Sequence, residues 1–158
     1  MSDRYLNLVN SPVGSAVASR VGLPQPAKLR RYAAGDPLLP GPALLGATSG
    51  KPTAALRKAL TGAGADVLDS VTEGNRIAAA VLDARSVAAP SDLGALREFL
   101  APAVKALGAS GRVIVLGRLP DGKSVTVDAT RQALDGIVRS LAKELRRGAT
   151  ANLLWVEH

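Results

Sequence analysis

Apolar residues in the last third of the chain recur at helical spacing. Leu134, Ile137, Val138, Leu141 and Leu145 line one face, and Arg131, Asp135, Arg139, Lys143 and Arg146 fall on the others. Asp128 is placed to cap the start, and Gly148 to take the left-handed position after the end. The run Leu153 to Val156 follows after a gap that fits only a tight turn, and predicts a buried strand. The same alternation extends upstream. Ala43 to Ala47 predicts a short strand, and Thr53 to Leu60 a helix packing through Ala54, Leu56 and Leu60, ended by Gly62 and Gly64. Asp66 to Asp69 is a weak strand, Ser70 to Arg76 a loop, and Ile77 to Asp83 a stronger strand. Ser91 is positioned to cap a helix from Asp92 to Leu107, with Leu93, Leu96, Leu100, Val104 and Leu107 inward and a kink at Pro102. Gly108 to Gly111 stops it, Arg112 to Gly117 is the clearest strand, and Gly117 to Val127 is a polar loop.

Short, wholly apolar strands alternating with helices predict a parallel sheet covered on both faces. The fold class expected is α/β: a doubly wound, mostly parallel five-stranded sheet, flavodoxin-like or degenerate Rossmann. One joint is irregular. Only seven residues separate Asp69 from Ile77, too few for a crossover helix, so either the helix is lost or the weak strand is misplaced. Residues 1–42 form an arm ahead of the domain at 43–158. Within the arm, Ser11-Pro12 starts a helix over Val13 to Val21 that ends at Gly22. Leu23 to Pro26 is extended, Lys28 to Tyr32 follows, and Gly35 to Pro37 and Pro40 to Pro42 mark turns.

Composition narrows the chemistry. The 158 residues are 47% apolar and only 3% aromatic, so Ala, Val and Leu must pack the core. No cysteine is present, and the one histidine is the final residue, His158. That removes disulfides, thiolate or histidine metal clusters and a serine–histidine dyad; no metal site is expected. The net charge is +7, but the cations are dispersed, with pairs only at Arg30-Arg31 and Arg146-Arg147. Without a basic run interleaved with aromatics, nucleic-acid binding is not expected. No signal peptide or membrane-length apolar run is seen, and a cytoplasmic location is expected. The chain stops soon after its last strand, which suggests that the natural protein continues.

Ligands of open α/β sheets bind beyond the carboxyl ends of the strands. The loop there reads Gly46-Ala-Thr-Ser-Gly50-Lys51-Pro52-Thr53. Its glycine spacing is one residue short for a P-loop, and Pro52 follows the lysine. Asp69 stands at the distance of a ribose-binding acid, and Asp83 ends a strand with no visible base or metal partner. Tyr5 and Tyr32 are assigned to packing or an interface, Asn152 to structural hydrogen bonding, and Trp155 to the core or an interface.

The segments Gly136-Ile-Val-Arg-Ser-Leu-Ala-Lys-Glu-Leu145 and Arg147-Gly-Ala-Thr-Ala-Asn152 resemble the helix and strand of short-chain dehydrogenase/reductases. The likeness is greatest to the 3-oxoacyl-(acyl-carrier-protein) reductases. Val9-Asn-Ser-Pro-Val-Gly-Ser15, Gly22-Leu-Pro-Gln-Pro26 and Leu29-Arg-Arg-Tyr32 resemble the start of the high-molecular-weight actinobacterial members. Those carry a flavodoxin-type domain ahead of a complete reductase domain. The family's nucleotide loop, Thr-Gly-x-x-x-Gly-x-Gly, is matched only by Gly46 and Gly50. Leu45 replaces its threonine, and Pro52 its third glycine. The Asn-Asn-Ala-Gly motif is absent at Asp83 to Ser86, and Val156-Glu157 replaces the final Pro-Gly. The catalytic serine, tyrosine and lysine positions hold Arg118, Val127 and Arg131. Valine transfers no proton, and arginine does not shuttle one at neutral pH.

The resemblance therefore implies a non-catalytic accessory domain with no cofactor of its own; Gly46, Gly50 and Asp69 are a weak nucleotide-site remnant. A downstream reductase domain of the same polypeptide would hold NADH or NADPH and reduce 3-oxoacyl thioesters. A homodimer, through the last helix, and an acyl carrier protein are further expected partners. The alternative is a stand-alone small-molecule or nucleotide binder using the crevice near Gly46 and Gly117.

Overall fold

The computed structural model describes residues 4–23, 27, 29–72 and 74–157. The extended reading of residues 24–26, Lys28 and the terminal His158 lie outside the described residues. Five strands form one all-parallel sheet in the order β2-β1-β3-β4-β5: β1 Ala43–Ala47, β2 Val67–Leu68, β3 Ile77–Asp83, β4 Leu107–Arg118 and β5 Thr150–Val156. This is the strand order of a flavodoxin-like sheet, the fold class expected. Helix α3 (Ala54–Gly62) joins β1 to β2, α4 (Leu93–Ala106) joins β3 to β4, and α5 (Val125–Glu144) joins β4 to β5.

Residues alternate between two faces along each strand. Leu44, Ala80, Leu82, Val113 and Val115 point to the face covered by α4 and α5, where Leu96, Leu100, Ala103, Leu134 and Val138 complete the main core. Ala43 and Ala79 point to the other face, where Leu39, Leu60 and Ala65 make a much smaller cluster. Among the described residues the β2–β3 connection has no helix, and β2 pairs with β1, so the helix is lost and the weak strand is correctly placed. Val71 from that loop packs on the main core beside Leu68.

Several boundaries move for local reasons. Ser91 is not the cap of α4. A 3₁₀ turn, Pro90–Asp92, precedes the helix, and the Asp92 carboxylate accepts from the Ala88 and Ala89 amides at 2.9 Å each. These bonds hold its carboxyl below the usual carboxylate range. Ala103 and Ala106 are buried where Val104 was expected, and Ala54 of α3 is exposed. Leu107 opens β4 and does not close the helix. Ile77 pairs with Leu107, but Ala79 pairs with Arg112, so β4 loops out between them through Gly108, Gly111 and the positive-φ Ser110.

Asp128 does not cap α5 either. Ser124 is the N-cap, accepting from the Val127 amide at 3.5 Å, and Asp128 lies within the first turn. Gly148, at φ 71°, takes the left-handed conformation expected of it. Strand β5 begins at Thr150, before the apolar run.

In the arm, Ser11 caps α2 (Pro12–Val21) and accepts from the Gly14 amide at 3.0 Å, with Gly22 left-handed after it. A helix not read from the sequence, α1 (Arg4–Val9), precedes it. Leu8, Val13, Val17 and Val21 stay exposed. Arg30 fastens the following segment, donating to the Pro37 and Leu38 carbonyls at 2.6 and 3.3 Å. Its own amide reaches the Ser110 hydroxyl at 3.4 Å. Among the described residues no helix is long and apolar enough to cross a membrane, and no metal-ligand cluster is found.

Candidate functional site

Strand order sets where a ligand would bind. From β1 the chain winds outward to β2 over one face, and from β3 it winds through β4 to β5 over the other. The crevice of such a sheet lies where the winding reverses, between the carboxyl ends of β1 and β3. Ala47 and Asp83 are partners in register there.

The residues of that mouth bond to one another. The Thr48 amide donates to the Asp83 carbonyl at 3.0 Å, and the Thr48 and Ser86 hydroxyls share a bond of 2.9 Å. Asp83 is only 7% exposed. Arg85 grips its carboxylate with a two-pronged fork, Nε to Oδ1 at 2.8 Å and Nη2 to Oδ2 at 2.7 Å. The same Nη2 reaches Thr53 Oγ1, at the start of α3, at 3.3 Å. The fork is the largest influence holding the Asp83 carboxyl below its ordinary range, against burial, which raises it; reciprocally it raises Arg85. The sequence shows no base or metal partner for Asp83, and the structure adds a cation two residues further on, Arg85.

Gly46 on β1, beside the crevice, and Gly117 on β4, next to β5, both face side chains from inside the chain. A methyl group on Gly46 would overlap the Phe99 ring, which packs from α4. On Gly117 it would stand 2.8 Å from Trp155 and 3.0 Å from Leu134. The absent side chains thus make room for this protein's own aromatics. Gly50 has φ 65° with open space around it, so it serves a backbone turn. Asp69, exposed beyond β2, pairs with Arg57 of α3. The remnant Gly46, Gly50 and Asp69 therefore share the β1–β2 side of the sheet, but each already has a role within the chain.

Arg118, Val127 and Arg131 gather at the carboxyl end of β4. Arg118 and Val127 are half-buried. Arg131 is not on a solvent face as expected: it is 8% exposed. Its Nη1 donates to the Leu119 carbonyl at 3.1 Å, and Asp121 and Asp128 carboxylates lie 3.5 and 3.9 Å away. Asp128 in turn accepts from the Asp121 and Gly122 amides at 3.0 and 2.9 Å. The Asp121 carboxyl is lowered first by the Lys123 amide and then by the cations beside it. Arg131 thus clamps the β4–α5 loop, and a guanidinium held there transfers no proton.

Of the remaining residues, Trp155 is core-packed as expected, Asn152 is exposed, and Tyr5 and Tyr32 are exposed on the arm.

Restoring the phenol and amine by Val127→Tyr with Arg131→Lys tests this end of the sheet. The expected result is no oxidation of NADPH by acetoacetyl-coenzyme A above the blank. Loss of the Arg131 clamp on the β4–α5 loop also lowers stability by about 1–2 kcal/mol, read by urea unfolding.

The architecture defines a class: a doubly wound, Rossmann-like α/β domain. No family model matches the chain, and no curated protein matches it. Among solved structures it is similar to the crystal structure of BdcA in complex with NADPH. The two are 15% identical over 76% of this chain and 71% of that one, with a TM-score of 0.51. At that identity the likeness establishes the shared fold.

The residues at the crevice do not fit a dinucleotide. Pro52 has no amide hydrogen where the loop should donate to phosphate. The Thr48 amide is taken by Asp83, the Gly46 approach is filled by Phe99, and the Arg85 charge is answered by Asp83.

Proposed function

We propose that this chain is a non-catalytic interaction domain on the short-chain reductase scaffold. It would act beside a 3-oxoacyl-(acyl-carrier-protein) reductase domain of the same polypeptide, which would hold the NADH or NADPH. An acyl carrier protein is a further partner on this reading, since such carriers are acidic and this chain carries +7. The observation that carries the non-catalytic part is the self-filled crevice, with Phe99 over Gly46 and Asp83 forked by Arg85. A binding site must offer unfilled space and unanswered polar groups, and at Gly46 and Asp83 both are used internally.

A second reading, a nucleotide-binding Rossmann domain, is favoured by the likeness to NADPH-bound BdcA. The single tryptophan separates the two. Trp155 packs at Gly117, so a reduced nicotinamide bound in the crevice would quench it by energy transfer. No saturable quenching is expected with NADPH or NADH up to about 1 mM, a range that would reveal even weak affinity. Saturation at micromolar concentration would establish the second reading.

A further inference from the structure

An apolar concavity lies in the helical layer, between α4 and α5. Helices α4 and α5 pack on the same sheet face and leave a groove of about 650 Å³ between them. Its floor is Leu93, Leu100 and Val104 from α4 and Ile137 and Leu141 from α5. Its rim is Arg97, Lys105 and Lys143, with Glu144 the one acid among the lining residues. Ser140 is the one neutral polar group lining it. A small ligand needs convergent polar groups to fix its orientation. An amphipathic helix needs a furrow with an apolar floor, into which residues at i, i+3, i+4 and i+7 can descend. The groove has the second form.

We propose that this groove docks an acidic amphipathic helix of a partner protein. The choice of occupant rests on charge. Three cations against one acid select glutamates or aspartates on the flanks of the incoming helix, and the net charge of +7 steers such a partner inward. A second copy of this chain would bring Arg97, Lys105 and Lys143 toward the same cations. The homodimer expected through α5 would use this face, and it is therefore the competing occupant. The inference rests on the interaction-domain reading and supplies its docking surface.

The test uses the full chain and two labelled helical peptides that share leucines at i, i+3, i+4 and i+7. One carries glutamates on the flanks, the other lysines. Fluorescence anisotropy is expected to give micromolar binding of the acidic peptide, weakened by salt, and binding of the basic one weaker by about tenfold or more. Lys105→Glu with Lys143→Glu, both exposed and so compatible with folding, should lose about tenfold of the acidic affinity. Lys51→Glu with Lys58→Glu, an equal charge change at the α3 end of the sheet, should lose less than about twofold, because remote charges are screened. Equal binding of the two peptides, or binding of neither, overturns the docking site. So does a sedimenting dimer that the Lys105 and Lys143 reversals dissociate, because a second copy then fills the groove. Failure here with no NADPH binding leaves the non-catalytic reading intact. NADPH binding removes that reading itself.

Discussion

Gly46→Ala is expected to destabilise the chain by about 1–3 kcal/mol, the range for overpacking a filled site. The added methyl group meets the Phe99 ring, and the ring must swing out of its place against the core. The expectation is specific because it depends on Phe99. Phe99→Ala will itself cost stability by opening a cavity. In that background, however, Gly46→Ala should cost no more than about 0.5 kcal/mol, since the two sites couple only through direct contact. Urea unfolding of the four chains in the cycle measures the coupling. Additive effects would mean that the room over Gly46 is open.

Arg85→Ala should cost about 2–3 kcal/mol at neutral pH. Breaking a fully buried ion pair from one side costs about 3–5 kcal/mol, and Arg85 retains 29% of its side-chain exposure, which lowers the figure. The pH dependence has a definite sign. The Asp83 carboxyl lies below its unfolded value, with the Arg85 fork the first cause. Its contribution is therefore complete above the unfolded carboxylate pKa of about 3.9. It is lost as pH falls from there through the folded value. In Arg85→Ala burial acts without the fork, so Asp83 protonates more readily. The gap between the two proteins should be widest from pH 6 to 7 and close below about pH 4. A gap that is constant with pH would locate the effect in packing.

Residues that act through local pattern were legible in the sequence. Strands β1 and β3 stand where their apolar runs place them, because each run is short and bounded by turn residues. The parallel, doubly wound sheet followed from the alternation of elements. Leu107 was ambiguous by nature: it continues the helical stripe of α4 and also begins β4. Arg131 is more instructive. It sits three and seven residues before Leu134 and Val138, on their buried face, yet its charge suggested solvent. Its partner Asp121 comes from a loop whose return path no helical pattern encodes. Phe99 over Gly46 is legible only in three dimensions, since it needs α4 to pack across the end of β1. The residues at the resembled motif positions could be read one by one, but the packing of Phe99 against Gly46 could not.

Closure of that crevice is tested most directly by amide resonances of the ¹⁵N-labelled chain during titration with NADPH. Resonances of Gly46, Thr48, Gly50, Arg85 and Ser86 are predicted to stay unshifted up to about 1 mM cofactor. Saturable shifts confined to those residues would contradict a self-filled crevice and make this a nucleotide-binding domain.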